Sequence, residues 1–131
     1  VQDPGNAGTI LRAAAGLGAA GVVALPGTVD LWSAKVVRSA MGAHFHLPTA
    51  AADPEALRAL LRATGTPLWG ADGSGPPIAR AAAGAPPRLA LALGNEGGGL
   101  GNSVRDALDR TVAIPATPLV ESFNVAVAAA I

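Results

Sequence analysis

Cysteine is absent from this chain of 131 residues. Disulfides, thiolate nucleophiles and cysteine-ligated zinc are therefore excluded. Aromatic residues are scarce, at 3% against 50% hydrophobic. The core must then be built from Ala, Val, Leu and Ile, with small side chains and closely spaced backbones. Neither sign of charge is in excess, since nine basic residues balance nine acidic ones, which points neither toward nucleic acid nor away from it. Lysine occurs once, at Lys35, so the basic character is almost wholly arginine, a side chain suited to forked contacts with phosphate. No stretch approaches the roughly 18 consecutive apolar residues of a membrane helix, and no basic, apolar, small-residue leader is visible. The expectation is a soluble, cytoplasmic protein. The length fits one domain with a real core. The opening Val1-Gln2-Asp3-Pro4 reads as the tail of a strand, so residues 1–131 are expected to be a single domain from a longer protein, lacking its N-terminal part.

What is present alternates between strand and helix signals. Gly8 to about Leu17 carries Ile10, Leu11, Ala14 and Leu17 at helical spacing, closed by Gly16 and Gly18. Gly21 to Leu25 is an apolar run ended by Pro26-Gly27, and reads as a buried strand. Trp32 to Met41 is helical in period, with Asp30 or Ser33 as cap. His44 to Leu47 reads as a short strand, and Asp53-Pro54-Glu55 opens a helix bearing Leu57, Leu60 and Leu61 on one face. Thr66–Ala71 reads as a strand and Asp72–Pro87 mostly as loop. Leu89–Leu93 is the clearest buried strand; Ser103–Leu108 follows as helix, Thr111–Ile114 as strand and Ser122–Ile131 as an apolar helix. This alternation predicts an α/β fold, a mostly parallel sheet with helices on both faces.

Three separated blocks place polar residues beside glycine or proline at the edges of apolar runs. They are Asp3–Arg12 (DPGNAGTILR), Leu93–Leu100 (LGNEGGGL), and Ile114-Pro115 followed by Glu121–Val125 (ESFNV). Strand ends and helix starts of this kind are where α/β proteins hold ligands. Glu96 among glycines has no packing reason to be there, and the glycines let backbone approach a ligand. The block is no P-loop, because no Lys-Ser or Lys-Thr follows. Asn6 and Arg12 fall at a helix start, which attracts phosphate when its N–H groups are free; the plainer alternative is Asn6 as a cap and Arg12 in solvent. Glu121–Asn124 likewise could simply cap the last helix. Gly16-Leu17-Gly18-Ala19-Ala20-Gly21 fits G-x-G-x-x-G by letter, yet a helix precedes it and a strand follows, the reverse of the dinucleotide fingerprint. Ser122 lacks the G-x-S-x-G surroundings of a hydrolase nucleophile. His44 and His46 would share one face of a strand, but no further ligands stand at metal spacing, so no metal is expected.

The order and content of the three blocks resemble motifs 1, 2 and 3 of the SpoU (TrmH-type) RNA ribose 2′-O-methyltransferases, over nearly the whole chain. The resemblance implies the SPOUT fold, a parallel α/β sheet with a C-terminal trefoil knot, which topology rules alone would not suggest. It implies transfer of a methyl group from S-adenosylmethionine to a ribose 2′-hydroxyl of tRNA or rRNA, by a homodimer. Carried over by position, Gly94, Ile114 and Phe123 would hold the cofactor, Leu93 and Pro115 would flank it, and Asn95, Gly97 and Asn124 would complete its surroundings. Asn6, Arg12, Glu96, Ser122 and Asn124 match the family's polar active-site positions. The family's motif-1 arginine has been assigned as base; Arg12, effectively always protonated, is better suited to orienting the 2′-hydroxyl or a phosphate and stabilising oxyanion character.

The segment Lys35–Ala43 also resembles a family segment, which makes Lys35 and Arg38, with Arg12, candidates for RNA contact. Here Ser39 follows Arg38 directly, where the family tends to have serine two positions on. Ala116, Pro118 and Phe123 depart from the larger apolar residue, glycine and leucine usual at those positions, and bear on cofactor affinity. Two rival readings belong to other classes: a catalytically silent RNA-binding or dimerisation module of this fold, and a nicotinamide-dependent oxidoreductase using the reversed glycine run.

Overall fold

A computed structural model describes residues 1–95 and 97–131, organised as two compact units. The first comprises Val1–Asp53 and Val125–Ile131, the second Pro54–Asn124.

The first unit contains α1 (Pro4–Gly16), β1 (Val22–Ala24), α2 (Ala34–Ser39), a 3₁₀ turn (Ala43–Phe45), β2 (Thr49–Ala51) and α6 (Val125–Ala130). Helix α1 starts four residues earlier than its apolar period suggests. Asp3 caps it, accepting the Asn6 N–H at 2.7 Å, and Pro4 opens the first turn, where its missing N–H costs nothing. Asn6 is therefore inside the helix and is not its cap. The helix ends as expected at glycine: Gly18 has φ +77°. β1 and β2 pair in parallel, Val22 against Thr49 and Ala24 against Ala51. The glycine run 16–21 bridges a helix to a strand, the reverse of a dinucleotide site.

The segment His44–Leu47, expected as a strand, is instead the end of a 3₁₀ turn, and the strand begins after Pro48 at Thr49. Gly42, at φ +87°, turns the chain into that short helix. A buried cluster of Ala7, Leu11, Leu31, Val36, Ala40, Ala43 and Leu47 forms the core of this unit. Small residues let the helices approach closely: a Cβ on Gly8 would stand 2.6 Å from Ser39 Oγ and 2.8 Å from the Ala40 nitrogen. Ser39 Oγ in turn donates to the Gly5 carbonyl at 3.0 Å, fixing α2 against the first turn of α1.

The second unit contains α3 (Pro54–Thr64), β3 (Leu68–Ala71), α4 (Ile78–Ala82), β4 (Ala90–Ala92), α5 (Asn102–Arg105) and β5 (Arg110–Val112). Its three strands are parallel in the order β4-β3-β5, with Gly70 opposite Ala92 and Thr111. From β3 the chain steps to one side for β4, then crosses back to the other side for β5. α4 lies within the stretch expected as loop, and the helix expected from Ser122 starts only at Val125. Leu89 and Leu91, expected to be buried, are exposed, because β4 is an outer strand of this sheet. Trp69, Ala81 and Val112 form a small core, with Ile78 packed against it and the Arg110 guanidinium 5.1 Å over the Trp69 ring. Among the described residues no helix is long and apolar enough to cross a membrane.

Replacing Gly8 by Ala drives a methyl group into α2 backbone that cannot rotate away. The expected cost is about 1–3 kcal/mol, read as a lower urea midpoint at unchanged m-value.

Candidate active site

The second and third sequence blocks leave the same edge of the three-stranded sheet. β4 runs out through Leu93, Gly94 and Asn95, and β5 through Ala113, Ile114 and Pro115. Being parallel and separated by β3 alone, these two exits stand about 10 Å apart. A strand order that reverses in this way leaves a crevice at the carboxyl ends, where α/β folds bind ligands.

The loop after β4 is closed on itself. Asn95 and Gly99 exchange backbone hydrogen bonds, Asn95 N–H to Gly99 O at 2.9 Å and Gly99 N–H to Asn95 O at 2.8 Å. Closure requires Gly94, because a Cβ there would lie 2.7 Å from both Gly99 O and Leu100 N. Gly99 itself has φ +62°, in the left-handed region. Gly97 and Gly98 are exposed at the turn, while Leu93, Gly94 and Asn95 are half-buried. Glu96 lies outside the described residues.

The loop is anchored on its far side by residues that sequence reading did not single out. Leu100 is buried, and Gly70 of β3 makes room for it: a Cβ there would lie 2.8 Å from its side chain. Arg105 of α5 donates from Nε to the Leu100 carbonyl at 2.8 Å, and its Nη1 pairs with Asp72 at 2.9 Å. Asp72 is itself held by the backbone N–H and hydroxyl of Ser74, at 3.0 and 2.7 Å. Those two Ser74 hydrogen bonds, helped by Arg105, keep the Asp72 carboxyl below its ordinary value despite partial burial. The Asp-Gly-Ser-Gly run at 72–75 is a recognisable turn signature, but nothing in it announces a partner 33 residues on.

Other candidate residues are placed as follows. Ile114 is half-buried and Pro115 exposed. Ser122, Phe123 and Asn124 lie in the exposed segment leading into α6, ahead of its first turn. Asn6 and Arg12 belong to the first unit. Six residues apart on one helix, they point about 120° away from each other. Asn6 is half-buried; Arg12 is exposed and its guanidinium has no partner among the described residues. Asp3 occupies the helix start with its own carboxylate, so this is not the free phosphate site that a bare N-terminus offers. Lys35 and Arg38, exposed on α2, also have no side-chain partner among the described residues. His44 and His46 do not share a strand face: His44 Nε2 donates to the Leu31 carbonyl at 2.8 Å. No group of three metal-ligating side chains occurs among the described residues.

A protein-family model described as the SpoU rRNA Methylase family matches residues 1–131. The chain belongs to the SpoU methylase family. It is 39% identical over its full length to 23S rRNA (guanosine(2553)-2′-O)-methyltransferase RlmP of Bacillus subtilis, and covers 52% of that protein. Two similar crystal structures are an AdoMet-bound rRNA methyltransferase from Sinorhizobium meliloti and the SpoU methyltransferase AviRb from Streptomyces viridochromogenes in complex with AdoMet. The first has a TM-score of 0.89 at 32% identity, covering 98% of this chain and 49% of that one. The second has a TM-score of 0.87 at 33% identity, covering 98% and 51%. The chain thus spans about half the length of the SpoU relatives that it matches. The expected α/β class with parallel strands holds, as does the family resemblance carried by the three blocks.

The Asp72–Arg105 pair makes a pH prediction. A carboxyl depressed in the folded state stabilises fully above its ordinary value of 3.8, and that stabilisation is lost as pH falls through the folded value. Asp72→Asn should therefore be less stable at neutral pH, with a shallower loss of stability below pH 3.8, measured by urea unfolding across the acid range.

Proposed function

We propose that this chain is the catalytic part of an S-adenosylmethionine-dependent RNA ribose 2′-O-methyltransferase acting on tRNA or rRNA in the cytoplasm. The observation that carries the reading is the closed glycine loop at the reversal of strand order. Gly94 admits no side chain, and Gly97 and Gly98 leave backbone groups open to a ligand. Such a cradle fits an adenosine held largely by main-chain contacts. Leu93, Gly94, Asn95 and Gly97 would hold the cofactor from the β4 side, and Ile114, Pro115, Phe123 and Asn124 from the segment after β5. The trefoil knot implied by the family, and a homodimer, belong to this proposal. Leu119 is 90% exposed beside exposed Val120 and Phe123, an apolar stretch that a second copy would cover.

S-adenosylmethionine, when bound, supplies an electrophilic methyl group on a sulfonium sulfur. What remains for the protein is to align a ribose oxygen with that carbon, and positioning alone can lower the barrier greatly. Arg12, free of any intramolecular partner among the described residues, is suited to hold the 2′-oxygen or its neighbouring phosphate. As the 2′-hydroxyl gives its proton to water, the fixed positive charge of Arg12 would stabilise the developing oxyanion; a guanidinium does not itself take the proton. Asn6, Glu96, Ser122 and Asn124 are the polar residues proposed to orient the nucleotide around it.

Calorimetric titration with S-adenosylhomocysteine should give saturable binding near one per chain, lost in Gly94→Ala while the fold persists by circular dichroism. Absence of binding to the folded wild-type chain refutes the proposal. Arg12→Lys should keep that binding yet lower methyl transfer to RNA by at least about 100-fold, since a point charge cannot replace a fork; near-normal turnover removes Arg12 from the chemistry.

A further inference from the structure

We propose a second site: a cleft at the carboxyl ends of β1 and β2 that seats a guanine base of the RNA, stacked on Trp32 and read by Asp30. The proposal rests on the methyltransferase reading above for the presence of RNA. The cleft has a volume of about 550 Å³, and its walls include Leu25, Val29, Asp30, Trp32 and Ala51. That volume is in the range of small-ligand pockets, roughly 300–1,000 Å³.

Trp32 is 62% exposed in a chain that has only two tryptophans. Its other side is held. The His44 ring lies 4.7 Å away, centroid to centroid, and is itself fixed by its hydrogen bond to Leu31 O. The Trp32 backbone N–H donates to Asp30 Oδ1 at 2.9 Å, and the Ser33 N–H to Asp30 O at 3.1 Å. The result is an indole braced by a ring tilted 49° to it, with more than half of its surface open to water, which suits base stacking.

Location ties this platform to the first family block. The Val29 N–H donates to Val1 O at 2.9 Å, so the cleft wall runs beside the residues that lead into the Asp3 cap and Asn6. Lys35 and Arg38 follow Trp32 by three and six residues and share one face of α2, exposed and without side-chain partners among the described residues. Cations that follow an open aromatic ring closely in the chain suit a nucleotide whose base stacks while its phosphates lie on the helix.

Charge selects which part of the nucleotide enters. Carboxylates at the cleft repel phosphate and offer acceptors only. Each Asp30 oxygen has two lone pairs, and Oδ1 spends one on Trp32. Guanine presents N1–H and N2–H side by side and can engage both oxygens. Adenine and cytosine offer a single amino group on the same edge, and uracil a single imino group.

The test is tryptophan fluorescence of the wild-type chain titrated with GMP, AMP, CMP and UMP, whose phosphates are alike. GMP should quench saturably, about 10-fold tighter than the others. Trp32→Phe, which leaves only the buried Trp69, should give no quench, and Trp32→Ala should lose GMP binding by calorimetry. Asp30→Asn retains an oxygen for the Trp32 N–H, preserving the turn, and should level the four affinities. Equal quenching by all four nucleotides, or none, overturns the site when S-adenosylhomocysteine still binds. Selective GMP quenching without S-adenosylhomocysteine binding supports the site and refutes the methyltransferase reading instead.

Discussion

Direct contact between backbones, with no side chain between them, is the constraint on which both units depend. Gly8 brings α1 onto the α2 backbone at Ala40, Gly75 lies against the backbone of Thr111 and Val112, and Gly94 lies against Gly99 and Leu100. A chain this poor in aromatic residues has little bulk with which to fill wide gaps between layers, so it narrows the gaps instead. The same device that makes the core dense also makes the candidate cofactor loop. Packing and function draw on one property, the missing Cβ.

That loop illustrates how a site is made rigid from behind. Its open side is glycine, which by itself would be mobile. Its closed side is a chain of contacts: Leu100 buried beside Gly70, its carbonyl on Arg105, Arg105 on Asp72, and Asp72 on Ser74. None of these residues needs to touch a ligand. Their effect is to hold the loop's main-chain donors and acceptors in one arrangement.

Much of this was legible in the sequence, and the failures have physical causes. The blocks around Asn6, Gly94 and Asn124 carried the family because their residue types are dictated locally, by turns and ligand approach. β1, β3 and β5 were visible as apolar runs bounded by Pro or Gly. The strand assigned to His44–Leu47 failed because Gly42 directs a 3₁₀ turn there, and Leu47 is apolar through its place in the core. A cap at Asn6, the plainer alternative for that residue, does not hold because Asp3-Pro4 carries the stronger helix-start signal. Leu91 looked buried because alternation of small and large apolar residues does not distinguish an outer strand from an inner one. The Asp72–Arg105 pair was invisible, since pairing across 33 residues is decided by topology and leaves no local pattern.

The Asp3 carboxylate on the first turn of α1 has a consequence for how tightly such a surface can grip a polyanion. With the helix dipole already offset, attraction to phosphate in the first unit falls to Arg12, Lys35 and Arg38, three cations without side-chain partners among the described residues. Three phosphate contacts on a single strand release few condensed counterions, giving a slope of only about −2 in log K against log salt. A slope that shallow would weaken association about 20-fold between 50 and 200 mM salt, far less than a surface making six to ten phosphate contacts.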